Sequence, residues 1–208
     1  MPTVLRSTVD VVRSDLRPFL WLNAGAFGIL LVGMLLGLLF PDLVAAQAAG
    51  FEESGQTDLV LRVFGNPWLF ALTILAVNTL TVGAALIVLP SMVVPFLGLP
   101  LFAWKALTIG IALTPTTPTL RVAFIPHSLT VLIEFEAYVL LLLGAWVLGR
   151  AWLRPASVGA STRREAYGIG VRRLGRLVLA ALLLLVVGAL WEAWSLTRLV
   201  PWLVHTLL

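Results

Sequence analysis

Six polar or ionisable side chains stand inside stretches that are otherwise hydrocarbon, and they are the residues with chemistry to offer. His127, Glu134 and Glu136 fall in residues 124–150, FIPHSLTVLIEFEAYVLLLLGAWVLGR; Asn78, Lys105 and Glu192 each interrupt another apolar run. A charged group at bilayer depth costs at least about 2.5 kcal/mol on insertion scales, so such a side chain is expected to face protein or a wet cavity. On a helix, seven residues turn through roughly two full rotations, which puts His127 and Glu134 on one face about 10 Å apart along the axis, with Glu136 directed elsewhere. His127 and Glu192 are expected at similar depths, paired directly or through a shared water, and Lys105 at a depth suited to Glu134 or Glu136. A histidine beside a buried carboxylate can pass protons, so one reading is a path for an ion, proton or solute through His127, Glu134 and Lys105. The plainer reading makes these residues locks that hold the bundle in register. Asn78 reads first as a hydrogen-bonding bridge between helices.

Catalytic and metal chemistry find little support. The chain has no cysteine and only two histidines, His127 and His205, and His-Glu-x-x-His is absent, so neither a thiolate site nor a zincin site can be built. Ser128 adjoins His127, but no Gly-x-Ser-x-Gly elbow exists, and neighbours on a helix do not face one another. The expectation is a protein that is not an enzyme and carries no cofactor.

The elements that must position these residues follow from composition. Of 208 residues, 60% are hydrophobic and 12% charged, against roughly 25% charged in an ordinary soluble domain. Apolar runs long enough to cross a bilayer recur along the whole chain, which predicts an all-α, polytopic transmembrane bundle forming one domain, residues 19–208. Spans are expected at about 19–40, 67–89, 92–113, 122–149 and 177–199. The first run is longer than a signal-peptide core and reads as a retained helix. Before it, Leu5, Val9, Val12, Leu16 and Phe19 recur at helical spacing opposite Arg6, Asp10, Arg13 and Arg17, predicting an interfacial amphipathic helix over 1–18. Gly33 and Gly37 have small-xxx-small spacing, which favours close helix packing ahead of a dimerisation face. Pro90, Pro95 and Pro100 leave residues 90–113 open between a tight turn with a distorted first helical turn and a re-entrant segment.

Charge sets the expected topology. Residues 150–176 carry Arg163, Arg164, Arg172, Arg173 and Arg176, besides Arg150 and Arg154, against the single Glu165. This reads as a cytoplasmic loop in which residues 163–174 form a basic helix drawn to anionic lipid; topology and lipid contact explain the arginines better than nucleic acid does. With the amino terminus on the same side, the crossings between them must be even in number. Four fit, so residues 92–113 should cross fully and the carboxyl terminus should end outside after a fifth span. The acidic stretch 42–66 then lies outside.

The stretch AFIPHSLTVLIEFEAYVLLLLGAWVLGRAWLRP resembles the signature region of the stage II sporulation protein M family: a proline-histidine pair, Pro126 and His127, followed by a glutamate and a helix rich in small residues. Asn78 in the second span and ALWEAWSLTRLVP near the end, with Glu192, resemble further family features, so the likeness covers about residues 64–201. Ser128 stands where glycine is usual after the histidine, and Glu134 comes later than the family's first glutamate. The resemblance implies a multi-pass protein of the cytoplasmic membrane, bacterial or archaeal, acting as a scaffold or assembly subunit for peptidoglycan-remodelling proteins. Relatives outside spore formers mean that a role in sporulation does not follow. A cytoplasmic ATPase docked on the arginine loop and a homo-oligomer are further expected partners, besides the bilayer itself.

Overall fold

The computed structural model describes residues 2–208, with side chains from Thr8 onward, and the chain folds as an all-α bundle. Among the described residues, eight helices succeed one another: α1 Pro2–Ser14, α2 Leu16–Leu39, α3 Pro41–Glu53, α4 Gln56–Val63, α5 Pro67–Val93, α6 Gly98–Ala112, α7 Pro118–Leu153 and α8 Arg163–Leu207. Four of them, α2, α5, α7 and α8, are long and apolar enough to cross a membrane, and this is a membrane-embedded protein.

The central helix is α7, the stretch that carries His127 and Glu134. It has 72% of its most apolar window buried, whereas α2, α5 and α8 have at most 39%. From Ala137 to Ala145 every α7 side chain is buried. A helix that is apolar all round must be covered all round, and α2, α5, α6 and α8 supply the cover. Their outward faces bear exposed leucines and valines in the manner of lipid-facing surface, with Trp21 toward one end and Trp68 and Trp202 toward the other.

Glycine sets how closely the helices meet. On α2, Gly33 abuts Gly110 of α6, and Gly37 abuts Thr114, whose hydroxyl lies 3.2 Å from the Met34 carbonyl. A Cβ on Gly33 would stand 2.3 Å from the Leu107 carbonyl oxygen, so the small-xxx-small stripe is consumed by packing within the chain. Gly144 and Gly170 let α7 and α8 approach in the same way through Leu174 and Leu148.

Three boundaries differ from the sequence expectation. Residues 92–113 do not form a full-length span. Val94 is extended ahead of Pro95, Phe96 adopts φ 69°, and the Ser91 hydroxyl accepts the Gly98 N–H at 2.9 Å. This turn uses up the residues that would have been the first helical turns and leaves α6 with 15 residues, about 22 Å against a hydrocarbon thickness of about 30 Å. The left-handed Phe96 is held by its ring, stacked at 5.2 Å on Trp146 and lying over Gly149. α6 nonetheless runs alongside α2 from Leu99 to Thr114, so it carries the chain from one end of the bundle toward the other. Second, the acidic stretch is helical: α3 and α4 form a hairpin turned at Gly55, φ 72°. Third, the basic segment is not a separate surface helix. The connection is only residues 154–162, with a single 3-10 turn at Pro155–Val158, and Arg163 already begins α8, capped by the Thr162 hydroxyl.

α1 is helical; from Thr8 onward Thr8, Val11 and the following Asp15 are buried, Val12 and Phe19 are half-buried against the core, and Val9 and Leu16 are exposed, while Leu5 and Arg6 lie outside the described side chains. The face is chosen by contact with the bundle: the Thr8 hydroxyl reaches the Arg176 carbonyl, and Asp15 forms an ion pair with Arg150. These two contacts place the start of α2, the end of α7 and the start of α8 at one end of the bundle.

Candidate functional site

At the opposite end, the helices do not close on one another. A cavity of about 550 Å³ lies between α5, α6, α7 and α8, under the α3–α4 hairpin. Its lining contains Asn78, Lys105, His127, Glu134 and Glu192, five of the seven intramembrane residues expected to matter. The other two lie apart from it. Pro126 is buried one position away in α7, and Glu136 points toward Asn23 of α2, as the helical phase requires.

Each polar group reaches the cavity for a local reason. His127 and Glu134 are two turns apart on α7 and share a face. Asn78 opens an 11-residue π-helical segment of α5, Asn78–Val88, and its amide donates to Glu134 Oε1 at 2.5 Å. π segments widen the helix and shift the angular phase of the residues beyond them, a feature common at functional sites. A second π segment, Ser195–Leu199, lies just beyond Glu192 on α8. Gly188, one turn before Glu192, has no side chain where Glu134 passes, and a Cβ there would meet Glu134 Cγ at 3.1 Å.

His127 Nδ1 lies 3.6 Å from Glu192 Oε1, close for an ion pair but longer than a hydrogen bond, and this nitrogen has no hydrogen-bond partner. The two helices are tied here by a neighbouring bond instead: Trp191 Nε1–H donates to the Pro126 carbonyl at 3.1 Å. Lys105 forms no ion pair among the described residues, although it lines the same cavity as both carboxylates. Among the described residues, no three His, Asp or Glu side chains gather as a metal site.

The polar lining ends abruptly. Phe135 and Tyr138 line the cavity's inner end and pack on Phe102 behind them, with ring centroids 5.4–6.0 Å apart. Beyond it α7 is buried hydrocarbon to Gly149 except for the half-buried Trp146. The polar part of the cavity is therefore confined to one half of the bundle. Its mouth is ringed by exposed Phe51, Gln56, Leu59 and Val60 of the hairpin and by Val77 and Thr81 of α5. Val77 and Thr81 lie well along α5, so the opening extends down the flank of the bundle, where lipid would be.

The basic residues occupy the other end: Arg163, Arg164, Arg172 and Arg176 are exposed and Arg173 is half-buried, all on the first turns of α8. Sequence reasoning missed three things. Asp15, ahead of α2, makes no capping bond and pairs with Arg150. Tyr138 looks like ordinary core, and the hairpin residues look like ordinary loop; no local signal marks either as cavity lining.

Compared with known proteins, the chain matches no protein-family model, no curated protein and no solved structure.

Proposed function

We propose that this chain is a scaffold or assembly subunit of a cytoplasmic membrane, of the stage II sporulation protein M type, for partners that remodel the membrane or cell wall. The observation that carries the reading is the meeting of the two segments on which the resemblance rests. Pro126 and His127 lie 65 residues before Trp191 and Glu192, yet the Trp191 indole bonds the Pro126 carbonyl and His127 approaches Glu192. A signature that assembles at one place in the fold is a unit of structure, beside a hairpin that a partner can reach. The arginines at the opposite end favour the amino terminus and the 154–162 loop inside and the α3–α4 hairpin and its chamber outside.

Crosslinking in native membranes tests this, with photoreactive residues placed separately in α3–α4 and in 154–162. Hairpin adducts with wall-remodelling proteins are expected; self-adducts alone from both sites would remove the scaffold reading. Adducts of the loop with an ATPase would place a partner inside. A second reading, a subunit of a channel or transporter, is favoured by the chamber lined by His127, Glu134 and Lys105. The aromatic inner end makes it the weaker one, because transport needs a polar path on both sides of the site.

A further inference from the structure

We propose that the chamber binds an amphiphilic ammonium cation taken up from the outer part of the bilayer. Charge comes first. The lining holds two carboxylates, Glu134 and Glu192, and one amine, Lys105, with His127 neutral unless protonated. Both carboxylates lie among apolar side chains, where a carboxyl group ionises only when a cation stands beside it, so an entering ammonium group supplies the partner they lack. Asn78 satisfies one oxygen of Glu134, whereas Glu192 has only the 3.6 Å approach of His127. His127 Nδ1 is itself buried and unpartnered. Among the described residues, no lysine or arginine is paired with either carboxylate.

The rest of the lining selects the form of the cation. Phe70, Phe135 and Tyr138 present aromatic surface beside the carboxylates, the combination that recognises alkylated ammonium groups through cation–π attraction. Most of the remaining wall is aliphatic and suits a hydrocarbon tail. The flank opening at Val77 and Thr81 admits a molecule already dissolved in lipid, and Glu52, Glu53 and Asp58 on the exposed hairpin outnumber its single Arg62, which raises the local concentration of cations. A metal ion fits poorly, since among the described residues no three carboxylate or histidine ligands gather to coordinate it.

The inference goes beyond the scaffold reading and survives its failure, because binding is measured on the purified full chain without partners. The probe is tritiated decyltrimethylammonium, bound to the protein in phosphatidylcholine nanodiscs at neutral pH. Saturable binding is expected, displaced by unlabelled probe and not by decyl sulfate, which has the same tail and the opposite charge. Glu192→Gln should weaken it by about tenfold or more, the loss of one charge-assisted contact, and Lys105→Met, which removes the amine that competes for the carboxylates, should tighten it. Thr81→Trp, at an exposed position on the mouth, should block uptake without disturbing the charged cluster and covers the case in which Glu192→Gln does not fold. Equal displacement by decyl sulfate, binding by Lys105→Met no tighter than by the parent, or folded Glu192→Gln and Thr81→Trp proteins that bind as the parent does would each overturn the proposal, as would absence of saturable binding to the parent.

Discussion

Substituting Gly33 by alanine adds one methyl group to α2 at its closest approach to α6. A Cβ at Gly33 would lie 2.3 Å from the Leu107 oxygen, 3.0 Å from Gly110 Cα and 3.1 Å from Ile111 N. All three are backbone atoms, so no side chain can rotate away. Ordinary contact begins at 3.4 Å, and the seam must open by 1.1 Å, the difference between 3.4 and 2.3 Å. A gap of that size forfeits roughly a quarter to a half of the dispersion attraction across the affected contacts, and overpacking of this kind costs about 1–3 kcal/mol. Gly28→Ala is the control: it lies on the same helix, and nothing stands within 4 Å of its added Cβ. Both changes gain the same helix propensity, so their difference isolates the clash. Unfolding in mixed micelles, followed by tryptophan fluorescence, should place Gly33→Ala about 1–3 kcal/mol below Gly28→Ala. Equal stability of the two variants would refute the claim that α2 and α6 touch backbone to backbone.

Asp15→Ala should destabilise the chain by about 2 kcal/mol, below the usual range for breaking a buried pair because Arg150 is 29% exposed and can reach water; the reversed pair Asp15→Arg with Arg150→Asp should recover part of the loss in the same micelle assay. Exchanging His127 and Glu192 should restore folding better than either single change, and a double variant as damaged as the singles would show that the side chains do not interact. Asn78→Ala and Glu134→Leu should be non-additive, with a coupling of about 1 kcal/mol in a double-mutant cycle; simple additivity would count against the bond between them. Trp191→Phe should cost about 1 kcal/mol through the lost bond to the Pro126 carbonyl, detectable by the same unfolding measurement.

Much of this architecture is legible in the chain because the bilayer imposes a length and an apolarity that a single helix must meet by itself. The runs that became α2, α5, α7 and α8 satisfy that demand locally, and the turn at residues 114–117 is marked by its prolines and hydroxyls. The phase of His127 and Glu134, and the divergence of Glu136, follow from helical geometry alone. The segment with three prolines is not legible in this way, since hydropathy counts apolar residues without regard to the turn at Val94–Leu97 that shortens α6. The side of α1 that meets the bundle is not legible for a different reason: Val12 and Phe19 of the apolar stripe pack against the core while Val9 and Leu16 are exposed, and the buried Thr8 and Asp15 find polar partners in the Arg176 carbonyl and Arg150, which lie far off in sequence.

The sequence by itself determined that the chain is a helical membrane protein, that many of its arginines collect in residues 150–176, and that a few polar residues interrupt its apolar runs, because each is a property of one segment or one composition. Only the tertiary structure decided that Asn78, Lys105, His127, Glu134 and Glu192 share one chamber, that the chamber has an aromatic inner end and a mouth on its flank, and that Asp15 meets Arg150 across 135 positions of sequence. Those facts depend on how far apart the helices stand and how each is rotated about its axis. Distance and rotation are set where glycines and π segments on two helices meet, and no one segment contains that information.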